Sequence, residues 1–226
     1  MRRMQQLLAL LNDTEVFGKF SDAQKQRLAS LAARRTVERG SAILWQGDHW
    51  PNVLLIASGQ LRSVIHSPDG KSYVMSTWNA GQEFWGHTLF DDEPMPSTLE
   101  AVQDSIVYQW DGEKALKILF ENSEAIRALL RRQVQVIRKR RATISDLAFQ
   151  PVTGRLAKLL LERVPASENM AQRDLTLDQI ASMVASSPEV ICRTLYQFQR
   201  DGMLQITRAS ITLRDRTALE RLVGVE

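Results

Sequence analysis

Residues 175–195 read Leu175-Thr176-Leu177-Asp178-Gln179-Ile180-Ala181-Ser182-Met183-Val184-Ala185-Ser186-Ser187-Pro188-Glu189-Val190-Ile191-Cys192-Arg193-Thr194-Leu195. The apolar spacing and the break at Ser186-Ser187-Pro188 predict two short helices meeting at a tight turn. Ala181 is small enough to stand where the helices cross, and Ile180, Val184, Ile191 and Leu195 lock the second onto the first. Serine before proline starts a helix well, because the hydroxyl caps free N–H groups and proline presets φ. Packing leaves Glu189, Cys192 and Arg193 on one side of the second helix, beside Ser186, Ser187 and Pro188 at its start. A helix presented this way suits the DNA major groove. Arginine can read guanine through two hydrogen bonds, and glutamate can accept from cytosine N4. Downstream, Asp201–Ile206 and Ser210–Leu213 read as a short hairpin, the wing of a winged helix. The bland alternative is a helical hairpin with Glu189 and Arg193 as a surface pair.

Upstream lie a polar loop, Pro165 to Asp174, and an amphipathic helical stretch, Val152–Val164. Pro151 ends a helical pattern that runs from Glu113 to about Phe149. Within it Ile126, Leu130, Gln133, Ile137, Arg140, Ile144 and Leu147 recur at alternating steps of four and three. That heptad stripe is what one helix presents to another in a two-stranded coiled coil, and it predicts a homodimer seam. A helix of roughly 26 residues would be ~39 Å long. Packing against its own chain is the competing expectation.

Further back the texture changes. Glycines at 40, 47, 59, 70 and 81 separate the apolar stretches Ala42–Trp45, Val53–Ala57, Leu61–His66 and Tyr73–Trp78. Short strands with regular turn signals indicate a β barrel, sandwich or roll. Ser67-Pro68-Asp69-Gly70 should close a hairpin between Leu61–His66 and Tyr73–Trp78. Residues 4–34 read as helical, with Leu7, Leu8 and Leu11 at helical spacing and a second stretch opening at Ser21 with Leu28, Leu31 and Ala32 on one side.

Composition narrows the class. The chain has 226 residues, 44% hydrophobic and 24% charged, as an ordinary globular protein has. Its longest apolar runs, Leu7–Leu11 and Val53–Ala57, fall far short of the ~20 residues a membrane span needs. The basic N-terminus lacks a signal-peptide core, so a cytoplasmic protein is expected. The net charge of +3 is uneven: residues 1–110 are slightly acidic, and residues 111–150 carry nine basic against five acidic side chains. That asymmetry fits a protein that meets a polyanion at one end. Gly70-Lys71-Ser72 lacks the upstream glycine of a phosphate-binding loop, since Ile65 stands there, and no catalytic motif is present, so no enzyme is expected.

With these elements in order, the whole chain resembles the Crp/Fnr family of bacterial transcription regulators. The carrying residues are Glu38-Arg39-Gly40 with Gln46-Gly47-Asp48, Ser58-Gly59, Gly81-Gln82-Glu83-Phe84, and Leu147-Ala148-Phe149 running into Val152-Thr153-Gly154-Arg155. Glu189, Cys192 and Arg193 are similar to the Fnr branch, which usually has serine where Cys192 stands. The resemblance implies an α+β chain: a cyclic-nucleotide-binding-like β-roll with N-terminal helices over 1–112, a long dimerisation helix over 113–150, and a winged helix-turn-helix over 151–226. It also implies a dimer on palindromic double-stranded DNA that contacts RNA polymerase. Ala185 departs from the glycine many relatives carry at the turn.

The family's phosphate site looks like Gly-Glu-Leu followed by Arg-Ser. Here Gly86-His87-Thr88 is followed by Pro96-Ser97-Thr98, so His87 replaces the glutamate and Pro96 the arginine. Arg140-Arg141 take the place of the adenine-facing Thr-Ser pair. Without its arginine a buried phosphate loses a charge-assisted pair, so cyclic AMP is not expected. A single cysteine excludes an iron–sulfur cluster. Haem remains open through His87, with His49 and His66 the other histidines. Phe84, Gly86, His87, Ser97, Thr98, Arg140 and Arg141 are the candidates to line an effector pocket, whose ligand the sequence does not name. A second class of reading is a β-roll adaptor whose winged helix contacts protein. Cys192, on the expected groove side near a helix N-terminus, is a candidate for oxidation that weakens DNA binding.

Overall fold

The computed structural model describes residues 2–68, 70 and 72–224; the expected turn residue Asp69 and Lys71 of the rejected phosphate-loop match lie outside them. Two compact units form, Met1–Ile65 with Val74–Ile137 and His66–Tyr73 with Arg138–Glu226.

In the first unit, helix α1 (Arg2–Asn12), a 3-10 turn (Phe17–Lys19) and helix α2 (Asp22–Ser30) precede the sheet. The second expected helix opens at Ser21 as its sequence suggests, with a 3-10 turn between the two helices, but it ends before residue 34, since Ala33 already begins strand β1 (Ala33–Val37). Ser21 starts α2 through a reciprocal capping box with Gln24. Strands β2 (Ala42–Leu44), β3 (Asn52–His66), β4 (Ser72–Asn79), β5 (Glu83–Trp85) and β6 (Thr98–Asp111) follow, with the short helix α3 (Thr88–Asp91) before β6. The main order is β1-β6-β3-β4, with β2 on β6 and β5 on β3. The two stretches expected around Gly59 are one strand, β3, and Gly59 is a bulge within it, not a turn. Its φ is +90°, and a Cβ there would lie 2.1 Å from Ser105 Oγ.

Strand β3 is apolar on both faces because it divides two cores. Val53 and Leu55 face α1, α2 and the helices after β6, while Leu54 and Ile56 face the roll interior with Phe84, Leu99 and Val107. The expected helix from Glu113 is two helices, α4 (Gly112–Phe120) and α5 (Ser123–Phe149). Asn122 interrupts them: its Oδ1 accepts from Ala125 N at 3.0 Å, and its amide donates to Lys19 O at 2.9 Å.

The second unit carries α6 (Val152–Arg163), β7 (Met170–Gln172), α7 (Leu177–Val184), α8 (Pro188–Arg200), β8 (Leu204–Ile206), β9 (Ser210–Leu213) and α9 (Arg216–Val223). The three strands pair in the order β7-β9-β8, so the supposedly irregular loop before Asp174 holds a strand. One core joins Leu156, Leu160, Ile180, Ile191, Phe198 and Leu219. Gly154 lets α6 approach α9, since a Cβ there would lie 2.8 Å from Leu222 O.

Candidate nucleic-acid interface

Helix α7 starts with a capping box, Thr176 with Gln179, and ends on Ala185 in the left-handed region at φ +50°, ψ 61°. A non-glycine residue does hold the turn. The guanidinium of Arg155 fixes it from below: Nε donates to Val184 O at 2.8 Å, Nη2 to Ala185 O at 3.2 Å, and Nη1 to Gln150 O at 2.7 Å. The sequence offered Arg155 only as part of a motif; its work here is to satisfy carbonyls that the turn leaves unpaired.

Ser187 caps α8, accepting from Val190 N at 3.4 Å, and Pro188 takes the first helical position. Ser186 continues the turn, its N–H donating to Ala181 O at 2.9 Å. Ile180, Ala181, Val184, Ile191 and Leu195 are all buried, as the locking pattern requires. Glu189 and Arg193 are exposed on the outer face of α8, with Tyr196, Gln197 and Arg200 continuing that face. The Ser187 hydroxyl, then the Glu189 backbone N–H, hold the Glu189 carboxyl below the usual glutamate range, keeping it an ionised acceptor.

Cys192 is set differently. It is half-buried on the flank of α8 toward the wing, lining a recess of about 330 Å³ with Leu177, Ile180, Tyr196, Ile206 and Ile211. The wing turn is tied by the Thr207 hydroxyl, which accepts from Ala209 N at 3.2 Å and Ser210 N at 2.9 Å.

The effector candidates fall in both units. Phe84 is buried against Trp50 and Trp78, at centroid distances of 5.7 and 5.1 Å. Ser97 bonds Ser63 at 2.6 Å, and Thr98 Oγ1 accepts from Gln46 N at 3.1 Å. Gly86 is crowded by Trp50 O, 2.6 Å from where a Cβ would stand. His87 is exposed, and His49 pairs with Asp92 at 2.8 Å. Arg140 and Arg141 belong to the second unit. There burial lowers the Arg140 guanidinium and raises the Tyr73 phenol, with a mutual attraction between them. Of the heptad stripe, Ile126 packs on its own chain's core, Gln133 and Arg140 are half-buried, and Leu130, Ile137, Ile144 and Leu147 are exposed. No described helix is long and apolar enough to cross a membrane.

Residues 34–122 match the family profile described as a cyclic nucleotide-binding domain, and residues 154–222 that described as a Crp-like helix-turn-helix domain. A relative in Mycobacterium tuberculosis, described as a CRP-like cAMP-activated global transcriptional regulator, is 26% identical over 189 residues, 81% of this chain and 84% of the relative. The chain belongs to the Crp/Fnr family. It is a DNA-binding transcription regulator of that type, and the adaptor reading falls away. The Crp/Fnr fold is shared with a regulator from Eubacterium rectale at a TM-score of 0.75 and 23% identity, covering 94% of this chain and 99% of that one. It is also shared with the c-di-GMP-responsive regulator CLP of Xanthomonas campestris, at a TM-score of 0.74 and 20% identity over 85% of this chain and 99% of that one.

Proposed function

We propose that this chain is a homodimeric, sequence-specific regulator that binds a pseudo-palindromic promoter site, contacts RNA polymerase there, and answers an effector other than cyclic AMP. The observation that carries the dimer is the face of α5. Leu130, Ile137 and Ile144 are 61%, 65% and 66% exposed at heptad positions, an apolar stripe that a second copy of the same helix would cover. Site specificity rests on the outer face of α8, where Arg193 has an exposed guanidinium and Glu189 an ionised carboxylate.

The effector reading rests on the β-roll. Relatives of this fold carry names that differ in ligand, cAMP in one and c-di-GMP in another, so the fold alone does not choose. In this chain Pro96 and His87 stand where a phosphate-binding arginine and a ribose-binding glutamate would be needed. Trp50 and Trp78 each pack on Phe84, and the hydroxyls of Ser97 and Thr98 are already engaged. Titration calorimetry with cyclic AMP, followed by mobility shift, tests this directly. No heat at micromolar nucleotide and no gain in DNA affinity are expected; micromolar binding that tightens DNA would overturn it.

A further inference from the structure

Strand β5 is three residues long, and its side chains alternate between the two cores of the first unit. Phe84, opposite Leu54 on β3, points into the roll interior against Trp50 and Trp78. Glu83, opposite Leu55, and Trp85, opposite Val53, point the other way, toward the helices. A displacement of Phe84 by anything entering the roll therefore also displaces Glu83, its neighbour on the same short strand.

Glu83 in turn holds α5. On that helix Ala125, Ala128 and Leu129 are buried in the core, and Arg132 extends their row by one turn, at steps of three and four. Its guanidinium donates from Nη1 to Glu83 Oε2 at 3.4 Å and from Nη2 to the Glu83 carbonyl. The Glu83 side chain is fully buried and that of Arg132 only 18% exposed. From Val134 to Lys139 every residue is exposed, so Arg132 is the tie at which the buried row of α5 ends. Ile144 lies twelve residues further on, so a tilt of about 5° at Arg132 would move it by about 1.6 Å. A displacement of that size misplaces a knob against its hole, because such interfaces pack at interior density. A buried ion pair adds little stability over apolar packing, but its directed hydrogen bonds fix one setting of the helix.

We infer that Glu83 and Arg132 are positioning residues of a joint that converts a change at Phe84, in the roll interior, into the setting of the seam face of α5, and so into the strength of the homodimer. The inference rests on the proposed seam along α5 and names where the roll acts on it. The two are separable, because the seam is read by whether chains pair and the joint by what alters the pairing.

Dimer dissociation constants are measured by sedimentation equilibrium on the full chain for wild type, Glu83→Gln, Arg132→Gln, Arg132→Lys and the Glu83→Gln/Arg132→Gln pair. Phe84→Leu is added alone and with Arg132→Gln. Leu28→Ala, at a fully buried position of the same core on α2, reports what lost stability alone does. Glu83→Gln and Arg132→Gln should each raise the constant about tenfold, and the pair no further than the larger single, since both cut one tie. Arg132→Lys, which keeps the charge without the two-armed donation, should fall between wild type and Arg132→Gln. Leu28→Ala should lower the urea midpoint and leave the constant unchanged. Phe84→Leu should shift the constant in the wild-type background but not beside Arg132→Gln, because the change then has no route to α5. Should Glu83→Gln not fold, the Arg132 variants decide. An Arg132→Gln chain with wild-type circular dichroism and a wild-type constant overturns the joint while the seam stands. A Phe84→Leu effect of equal size in both backgrounds overturns it too. A wild type that stays monomeric, or a dimer that survives Ile137→Asp/Ile144→Asp, refutes the seam and the joint with it.

Discussion

Ala185 holds a backbone conformation at φ +50° that side chains with a Cβ resist, at about 1–2 kcal/mol. Part of that strain is offset because alanine restricts the unfolded chain more than glycine does, by about 0.4–1 kcal/mol. Ala185→Gly should therefore raise stability by up to about 1.6 kcal/mol, read as a higher urea midpoint, with DNA affinity unchanged while Arg155 still grips the turn. At the reading face, Arg193→Ala should cost about 1–3 kcal/mol of binding and relax preference at one guanine. A uniform loss over all duplexes would assign Arg193 to phosphate. Glu189 provides a pH test with a defined sign. Its folded-state pKa is lowered from 4.5, so the carboxylate is present above that value and is lost only as pH falls below it. Carbon-detected NMR should give a Glu189 midpoint below 4.5, moving back up in Ser187→Ala. Cys192 was legible as a member of this helix but not in its orientation. Its place on the flank depends on the wing, which the local spacing of α8 does not contain.

Among the elements, the helix-turn-helix was readable because everything that makes it is local: caps, a break, and apolar residues four apart. The sheet was less so. Glycine at positive φ serves a turn and a bulge equally, and only the partner residue Ser105 on β6 shows that Gly59 is the latter. The break between α4 and α5 carries neither proline nor glycine, and β7 is three residues long inside a polar stretch. Glu83 stood in the sequence only as part of a motif, without a sign of its buried role. Its side chain is fully buried, and its Oε1 accepts from Val16 N at 3.0 Å and Phe17 N at 2.9 Å. Its Oε2 accepts from Trp85 Nε1 at 3.1 Å and Arg132 Nη1 at 3.4 Å, so one carboxylate ties the 3-10 turn, β5 and α5 together. Arg132 also donates to the Glu83 carbonyl. Glu83→Ala would strand these donors and an arginine only 18% exposed, which should cost about 3–5 kcal/mol. Glu83→Gln, keeping one acceptor oxygen, should cost less. Both are read by urea unfolding of the full chain with tryptophan fluorescence, since Trp85 and Trp110 lie in that core.

At the scale of the whole molecule, one winged helix offers one reading helix, and one short face distinguishes few base pairs. Two copies joined along α5, as proposed, would bring two such faces to one site. Half-sites about one DNA turn, ~34 Å, apart would then follow from the two-fold symmetry of such a pair. The second winged helix would bind at a local concentration set by the seam rather than by the bulk solution, so a joined pair should bind far more tightly than separate chains. The seam is testable without disturbing the fold, because Ile137 and Ile144 are exposed in the single chain. Two aspartates at these positions would set four like charges against each other across a parallel seam, at a face that has lost its apolar surface. Ile137→Asp/Ile144→Asp should sediment as a monomer, keep the wild-type circular dichroism, and lose specific retention in a mobility shift while still giving weak, salt-sensitive binding. The half-site spacing should vanish from sequences the variant selects, leaving a single half-site preference. Sedimentation unchanged from wild type would sink the coiled-coil seam, and a monomer retaining full affinity for the paired site would show that two reading helices are not joined through α5.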